Sequence, residues 1–201
     1  VPGTLMSEKL SLAAEFKKLL NWSEANLWRR FDLGPQDQSE FKDACFAFYY
    51  DKTVERVNQF YERFDHVDSE QLINGTVVPS VDELLGGVDW SEVRQGIAAN
   101  FHGDYHFENI IQTDSGYSLI DWRQSFGSIS AYGDIYYDLA KLYHGLLVNH
   151  EIIKSDLYTV EVASNGDVDF DYFRRDALIA CESILETFVR ENGFSWARVK
   201  L

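Results

Sequence analysis

The stretch "FHGDYHFENIIQTDSGYSLIDW" (101–122) decides how this chain reads. Two short apolar runs, 109–112 and 117–121, flank "TDSG", the pattern of a β-hairpin with a glycine in its turn. His102, Asp104 and His106 lie just before the first run, Asn109 opens it, and Asp121 closes the second. A hairpin returns its two ends to one place. Asn109 and Asp121 are therefore expected to meet, with Asp104 close by.

That residue set suits phosphoryl transfer. The reaction needs an aligned hydroxyl, neutralised phosphate charge and a nucleotide held still. Asp104 is the candidate carboxylate for the acceptor hydroxyl. Asn109 and Asp121 offer the hard oxygen ligands that Mg²⁺ prefers, few in number and supplemented by phosphate and water. An aspartate of ordinary pKa, ~3.9, is a poor base at neutrality, so alignment is the better role for Asp104. His102 is read as a structural residue bonding backbone near the loop. His102 and His106 also have metal-ligand spacing, but zinc wants both on one helix face with a third ligand, and Gly103 opposes a helix there.

Working outward, apolar residues at helical spacing predict a helix capped by Ser7 and carrying Leu10, Ala13, Ala14 and Leu20. A second is predicted after Ser39 with Phe41, Ala44, Cys45 and Phe48, resuming at Val57, Phe60, Tyr61 and Phe64. "NGTVVPS" (74–80) reads as a loop, with Ser80 and Ser91 as caps of two short helices. Ile135, Leu139, Leu142, Leu146 and Leu147 mark a strong amphipathic helix started by Asp134. "YTVEVASNGDVDFDY" (158–172) alternates around Asn-Gly, a second small hairpin. Phe173, Ala177, Cys181, Ile184, Leu185 and Phe188 form the last helix, with Gly193 as its stop. The expected fold class is α+β, predominantly helical, with one or two β-hairpins, as a single domain over 1–201.

Composition narrows the partners. With 18 basic and 33 acidic residues the formal charge is −15, a field that repels nucleic acid and anionic lipid and suits a cationic partner. No run approaches the ~18 apolar residues of a membrane span, and no signal-peptide pattern opens the chain. Cys45 and Cys181 fall on apolar helix faces and read as buried free thiols in a reducing compartment, hence a cytoplasmic protein.

His102, Gly103, Asp104 and Asn109 spell His-Gly-Asp-x-x-x-x-Asn, which resembles the protein-kinase loop His-Arg-Asp-x-x-x-x-Asn. The glycine in place of arginine, "LIDW" (119–122) in place of Asp-Phe-Gly, and "YGDIYYDLAKL" (132–142) resemble the aminoglycoside phosphotransferase and choline kinase branch of the kinase-like fold. The matched stretch spans 102–142. The resemblance implies the large C-terminal lobe of that fold and Mg²⁺-dependent transfer of the γ-phosphate of ATP or GTP to a small-molecule hydroxyl, on an aminoglycoside, choline or ethanolamine, or a sugar. It makes Asp104 the catalytic aspartate and Asn109 and Asp121 the metal ligands, with Ile111 and Ile120 beneath the adenine. His102 and Asp134 would brace the loop, or Asp138 in place of Asp134. Asp138, Asp171, Glu182 and Glu186 are candidates for a cationic acceptor. Protein substrates are disfavoured, since no Ala-Pro-Glu signature follows Asp121.

Two departures stand against this pattern. Arg123 and Gln124 follow Trp122 where many relatives carry an acidic residue. No Gly-rich loop precedes residue 102, and the opening "VPGTLMSE" (1–8) resembles the hinge between lobes. The small lobe is therefore expected upstream in a parent protein, and the isolated chain is expected to be inactive. A ligand-binding pseudo-enzyme of the same fold is the alternative.

Overall fold

Apolar residues three and four apart fold most of this chain into helices, and short β-rich runs between them form small sheets. The structure is a computed structural model and describes residues 3–6, 13–148 and 150–201. In chain order come β1 (Thr4–Leu5), α1 (Ala13–Asn26), α2 (Pro35–Phe46), a π-helical turn (Ala47–Asp51), α3 (Lys52–Phe64), β2 (Gln71–Ile73) and β3 (Thr76–Val78). Next are α4 (Val81–Gly86), α5 (Trp90–Val93), β4 (Ala98–Ala99), a 3₁₀ turn (Phe107–Asn109), β5 (Ile110–Thr113) and β6 (Gly116–Leu119). The remainder is β7 (Gly133–Asp134), α6 (Ile135–Leu147), α7 (His150–Lys154), β8 (Tyr158–Val162), β9 (Val168–Tyr172), α8 (Asp176–Glu191) and α9 (Trp196–Lys200). About half the residues are helical, and the fold is α+β. Among the described residues no helix is long and apolar enough to cross a membrane.

Where the sequence reads as one domain, the chain forms two compact units. Unit 1 comprises Val1–Cys45, Arg94–Val148 and Arg174–Leu201; unit 2 comprises Phe46–Val93 and Asn149–Phe173.

Unit 1 has the deep core. Helix α6 buries Ile135, Leu139, Leu142 and Leu146 on one face, each worth roughly 1.5–3 kcal/mol of apolar burial. Phe16, Leu19 and Leu20 of α1 and Leu178, Cys181 and Leu185 of α8 join the same cluster. The buried hydroxyls of Ser23 and Tyr105 satisfy each other at 2.6 Å. The expected Ser7 cap lies outside the described residues. Helix α2 starts at Pro35 rather than after Ser39, because proline suits a first helical turn, where its missing N–H costs nothing. Asp134 caps α6 by accepting the Tyr136 N–H, 3.3 Å. Strand β5 pairs antiparallel with β6 and, on its other edge, with β1 (Leu5 opposite Ile111). The described part of the hinge-like segment thus forms an edge strand on the central hairpin. Cys45 and Cys181 are free and buried; burial pushes the Cys181 thiol up to about 11 and Cys45 higher still.

Unit 2 carries the four-stranded sheet β3-β2-β9-β8. Its β8–β9 hairpin turns at Asn165-Gly166 as the alternation predicts. "NGTVVPS" is not all loop: Thr76–Val78 is strand β3. The Asn74 side chain explains this, since it donates to the Phe170 carbonyl (3.0 Å) and accepts the Phe170 N–H (2.7 Å). That clamp joins the hairpin to a strand far along the chain. Ser80 closes a capping box with Glu83 at the start of α4. Ser91 is no cap; Asp89 accepts the N–H groups of Ser91 and Glu92 instead.

Candidate active site

The loop after β4 is held from beneath by one buried carboxylate. Asp138, fully buried on α6, accepts the backbone N–H of His102 (2.7 Å), the N–H of Gly103 (2.8 Å) and the indole N–H of Trp28 (3.0 Å). Burial pushes its pKa up to about 6 against the pull of these three donors. Asp134, the first-named candidate for this brace, is buried and accepts the Ile97 N–H at 2.9 Å, 3.8 Å from the Arg198 guanidinium. The two aspartates are four residues apart, one at the helix mouth and one a turn inside. The inner one holds the loop's backbone.

Gly103 has φ +81, and a Cβ there would meet Arg123 Cβ at 2.5 Å and a Phe101 ring carbon at 2.8 Å. The loop thus makes its turn where a side chain has no room. His102, next to it, is buried. Its Nε2 bonds the Ile120 carbonyl at 2.7 Å and its Nδ1 accepts the Asp104 N–H at 3.2 Å. These partners select the neutral ring with its proton on Nε2. Burial foremost lowers its pKa, partly opposed by those bonds. Both ring nitrogens are thus engaged with backbone, which leaves His102 no lone pair for zinc.

Asp104 sits at the loop's apex, about two-fifths exposed. Lys141 Nζ lies 2.8 Å from its Oδ1, and His106 Nε2 3.2 Å from its Oδ2. Burial works to raise its pKa, but the bond and charge of Lys141 and the charge of His106 outweigh that, holding the carboxyl below its ordinary value. His106 is pushed up, first by its 2.8 Å bond to Glu108. The Asn109 amide nitrogen donates to the Asp104 carbonyl (3.0 Å) and approaches its carboxylate at 3.3 Å. The structure therefore brings Asp104 and Asn109 together, and Asn109 Oδ1 has no protein partner among the described residues.

The hairpin's far end is tied to the same loop. The Ile120 N–H donates to the Asn109 carbonyl (3.1 Å), and the Arg123 N–H to the His102 carbonyl (2.9 Å). Asp121 is suspended between these bonds in the left-handed region, φ +57, with its side chain exposed. Its carboxylate makes no hydrogen bond or ion pair among the described residues. Asn109 and Asp121 thus present hard oxygen donors without protein partners, a set that fits Mg²⁺. No group of three or more His, Cys, Asp or Glu side chains forms a metal cage among the described residues. Ile111 is half-buried on β5 and Ile120 is 40% exposed after β6.

The expected acceptor carboxylates have partners within the protein. Glu182 pairs with Arg174 at 2.9 Å and Glu186 with Arg190 at 2.7 Å. Asp171 is exposed on β9 and bonds the N–H of Tyr172. Asp138 is spent beneath the loop. Lys141 escaped the sequence reading, although its i,i+3 spacing from Asp138 sets both on one face of α6. Comparison with protein-family models, curated proteins and solved structures finds no match for this chain.

Proposed function

We propose that the 102–121 loop and hairpin form a magnesium-dependent phosphotransferase site that moves the γ-phosphate of ATP or GTP to a small-molecule hydroxyl. One observation carries this reading: the ionised, partly exposed Asp104 carboxylate lies beside the Asn109 amide on a loop fastened by a buried aspartate. Asp104 accepts a hydrogen bond from the acceptor hydroxyl and points its oxygen at the γ-phosphorus. As the new O–P bond forms and the bond to the β-phosphate oxygen breaks, the hydroxyl proton passes to Asp104. A carboxyl of lowered pKa takes that proton only late, which suits a loose transition state. Lys141 and His106 supply positive charge beside the transferring group. Asn109 Oδ1 and the Asp121 carboxylate would hold Mg²⁺, which would supply positive charge against the nucleotide phosphates. Ile111 and Ile120 supply apolar surface for the adenine.

Calorimetric titration of the chain with ATP, with and without Mg²⁺, tests this. Saturable binding that needs Mg²⁺ and weakens about tenfold or more in Asp121→Ala is the expected result. Binding indifferent to Mg²⁺ and to Asp121 would end the proposal. A nucleotide-binding module without transfer is the second reading. Lys141 favours it by occupying the Asp104 oxygen that an acceptor needs. Because the chain without a small lobe is expected to be inactive, transfer is measured on a longer parent protein that supplies that lobe: Mg²⁺-dependent binding with no ³²P transfer there to any of a panel of amino-sugars, amino-alcohols and sugars would select it.

A further inference from the structure

We propose that unit 2 contains a binding site for an organic cation, in a cavity walled by the start of α3 on one side and by α4 and α5 on the other. The cavity measures about 500 Å³, within the range of small-molecule sites. Its first wall is one helical face bearing Phe46, Tyr50, Val54 and Asn58. Steps of four residues drift around a regular α-helix. The π-helical turn Ala47–Asp51 absorbs that drift, because its bonds reach one residue further. The Phe46 and Tyr50 rings consequently stack, with centroids 4.9 Å apart and planes 26° from parallel.

The opposite wall is held before any ligand arrives. Trp90 meets the Tyr50 ring edge-on at 4.9 Å and donates its indole N–H to the Leu85 carbonyl at 2.9 Å. Asp82 is set by its own backbone: both carboxylate oxygens of Asp68 accept from this strand of chain, the N–H groups of Val81 and Asp82, each at 2.9 Å. The capping box of Ser80 and Glu83 fastens the same turn. Preorganised walls reduce the ordering cost of binding.

The chemistry of the lining selects the charge of the occupant. Among the described residues, Asp82 is the single charged group on the cavity wall. Among the described residues, neither its carboxylate, nor the Asn58 amide, nor the Tyr50 hydroxyl makes a hydrogen bond. Aromatic faces attract cations, and most strongly where water is excluded. An anion would be repelled by Asp82 and by the unit around it, which has 16 acidic and 4 basic residues, a formal charge of −12 out of −15 for the whole chain. A neutral apolar occupant would leave the exposed Asp82 carboxylate without a counter-charge. An ammonium or guanidinium group on an alkyl or aryl body satisfies walls and carboxylate together. The proposal stands whether or not the 102–121 loop transfers phosphate.

Two probes of one shape test it on the full chain, without nucleotide or metal: benzyltrimethylammonium and its neutral counterpart neopentylbenzene, each titrated by calorimetry. The cation is expected to saturate one site and to bind about tenfold tighter than the neutral probe. Asp82→Asn and Tyr50→Leu should each weaken the cation several-fold with the circular-dichroism spectrum unchanged. Equal affinity for the two probes overturns the proposal, as does absence of saturable cation binding by the native chain. So does an unaltered affinity in Asp82→Asn. The native-chain comparison decides the matter even if a variant fails to fold.

Discussion

The two units of this protein solve opposite problems. Unit 1 supplies every residue of the main hydrophobic cluster and is close to neutral, with 17 acidic and 14 basic residues. Unit 2 has Phe48, Val93 and Ile152 as its buried apolar side chains among the described residues, and α3 buries none. With four cations it cannot pair its sixteen acids. Its order comes from discrete hydrogen-bonding devices: the Ser80 capping box, the Asp68 clamp, and the Asn74 bridge between strands. A loop that positions reactants gains from a thick core that resists displacement. A shallow acidic unit with half-covered aromatic rings leaves apolar surface that only a bound partner of the proposed kind would cover.

The strongest way to break this comparison is a pair of truncations. Leu142→Ala opens a hole in the unit 1 core and should cost about 2–5 kcal/mol by urea denaturation. Phe60→Ala removes a ring that is half exposed in unit 2 and should cost well under half as much. Equal losses would mean that unit 2 has a core of its own.

A second measurement probes the fastening of the loop. The Asp138 pKa is higher in the folded chain, about 6, than the ~3.9 of an unfolded aspartate. The folded state therefore holds the proton more tightly. Stability from this group is full below pH ~4 and is lost as pH rises through about 6. Asp138→Asn removes this dependence and leaves the loop short of acceptors. The stability gap between native and variant chains should narrow by roughly 2–3 kcal/mol between pH 4 and 7. A gap that widens with pH would show that the carboxylate is ionised throughout.

The smallest effect sharpens the electrostatic half of the contrast. Raising salt from ~0.05 to ~0.5 M shortens the screening length several-fold and relieves repulsion among unpaired acids. Hydrogen exchange of unit 2 amides should slow by a few-fold, while the α6 and α8 amides of unit 1 change little. The reverse order would remove charge as the distinction between the units.

Much of unit 1 was legible because its elements are local. Helix α6 follows from apolar spacing and an aspartate cap, and the β5–β6 hairpin from two runs around a glycine turn. Unit 2 was harder, because its contacts jump the chain. Strand β3 is three residues long and its sheet is completed by β9, some ninety positions later. The π-helical turn adds a residue to the helical count, which interrupts the apolar pattern between Phe48 and Val57. At the site, residue types and spacing named the loop but not its support. Asp134 and Asp138 are equally plausible on paper, and only the direction of the α6 face separates them. Arg190 stands at i,i+4 from Glu186, a pairing the spacing allows, whereas the Arg174 that claims Glu182 is visible only once side chains are placed.

The Trp28 indole shares Asp138 Oδ2 with the backbone of His102. Any rearrangement at the apex that draws this carboxylate aside also alters the polarity felt by a ring sealed from solvent. The molecule thereby carries its own optical gauge, whose emission would register events at the apex without an attached dye.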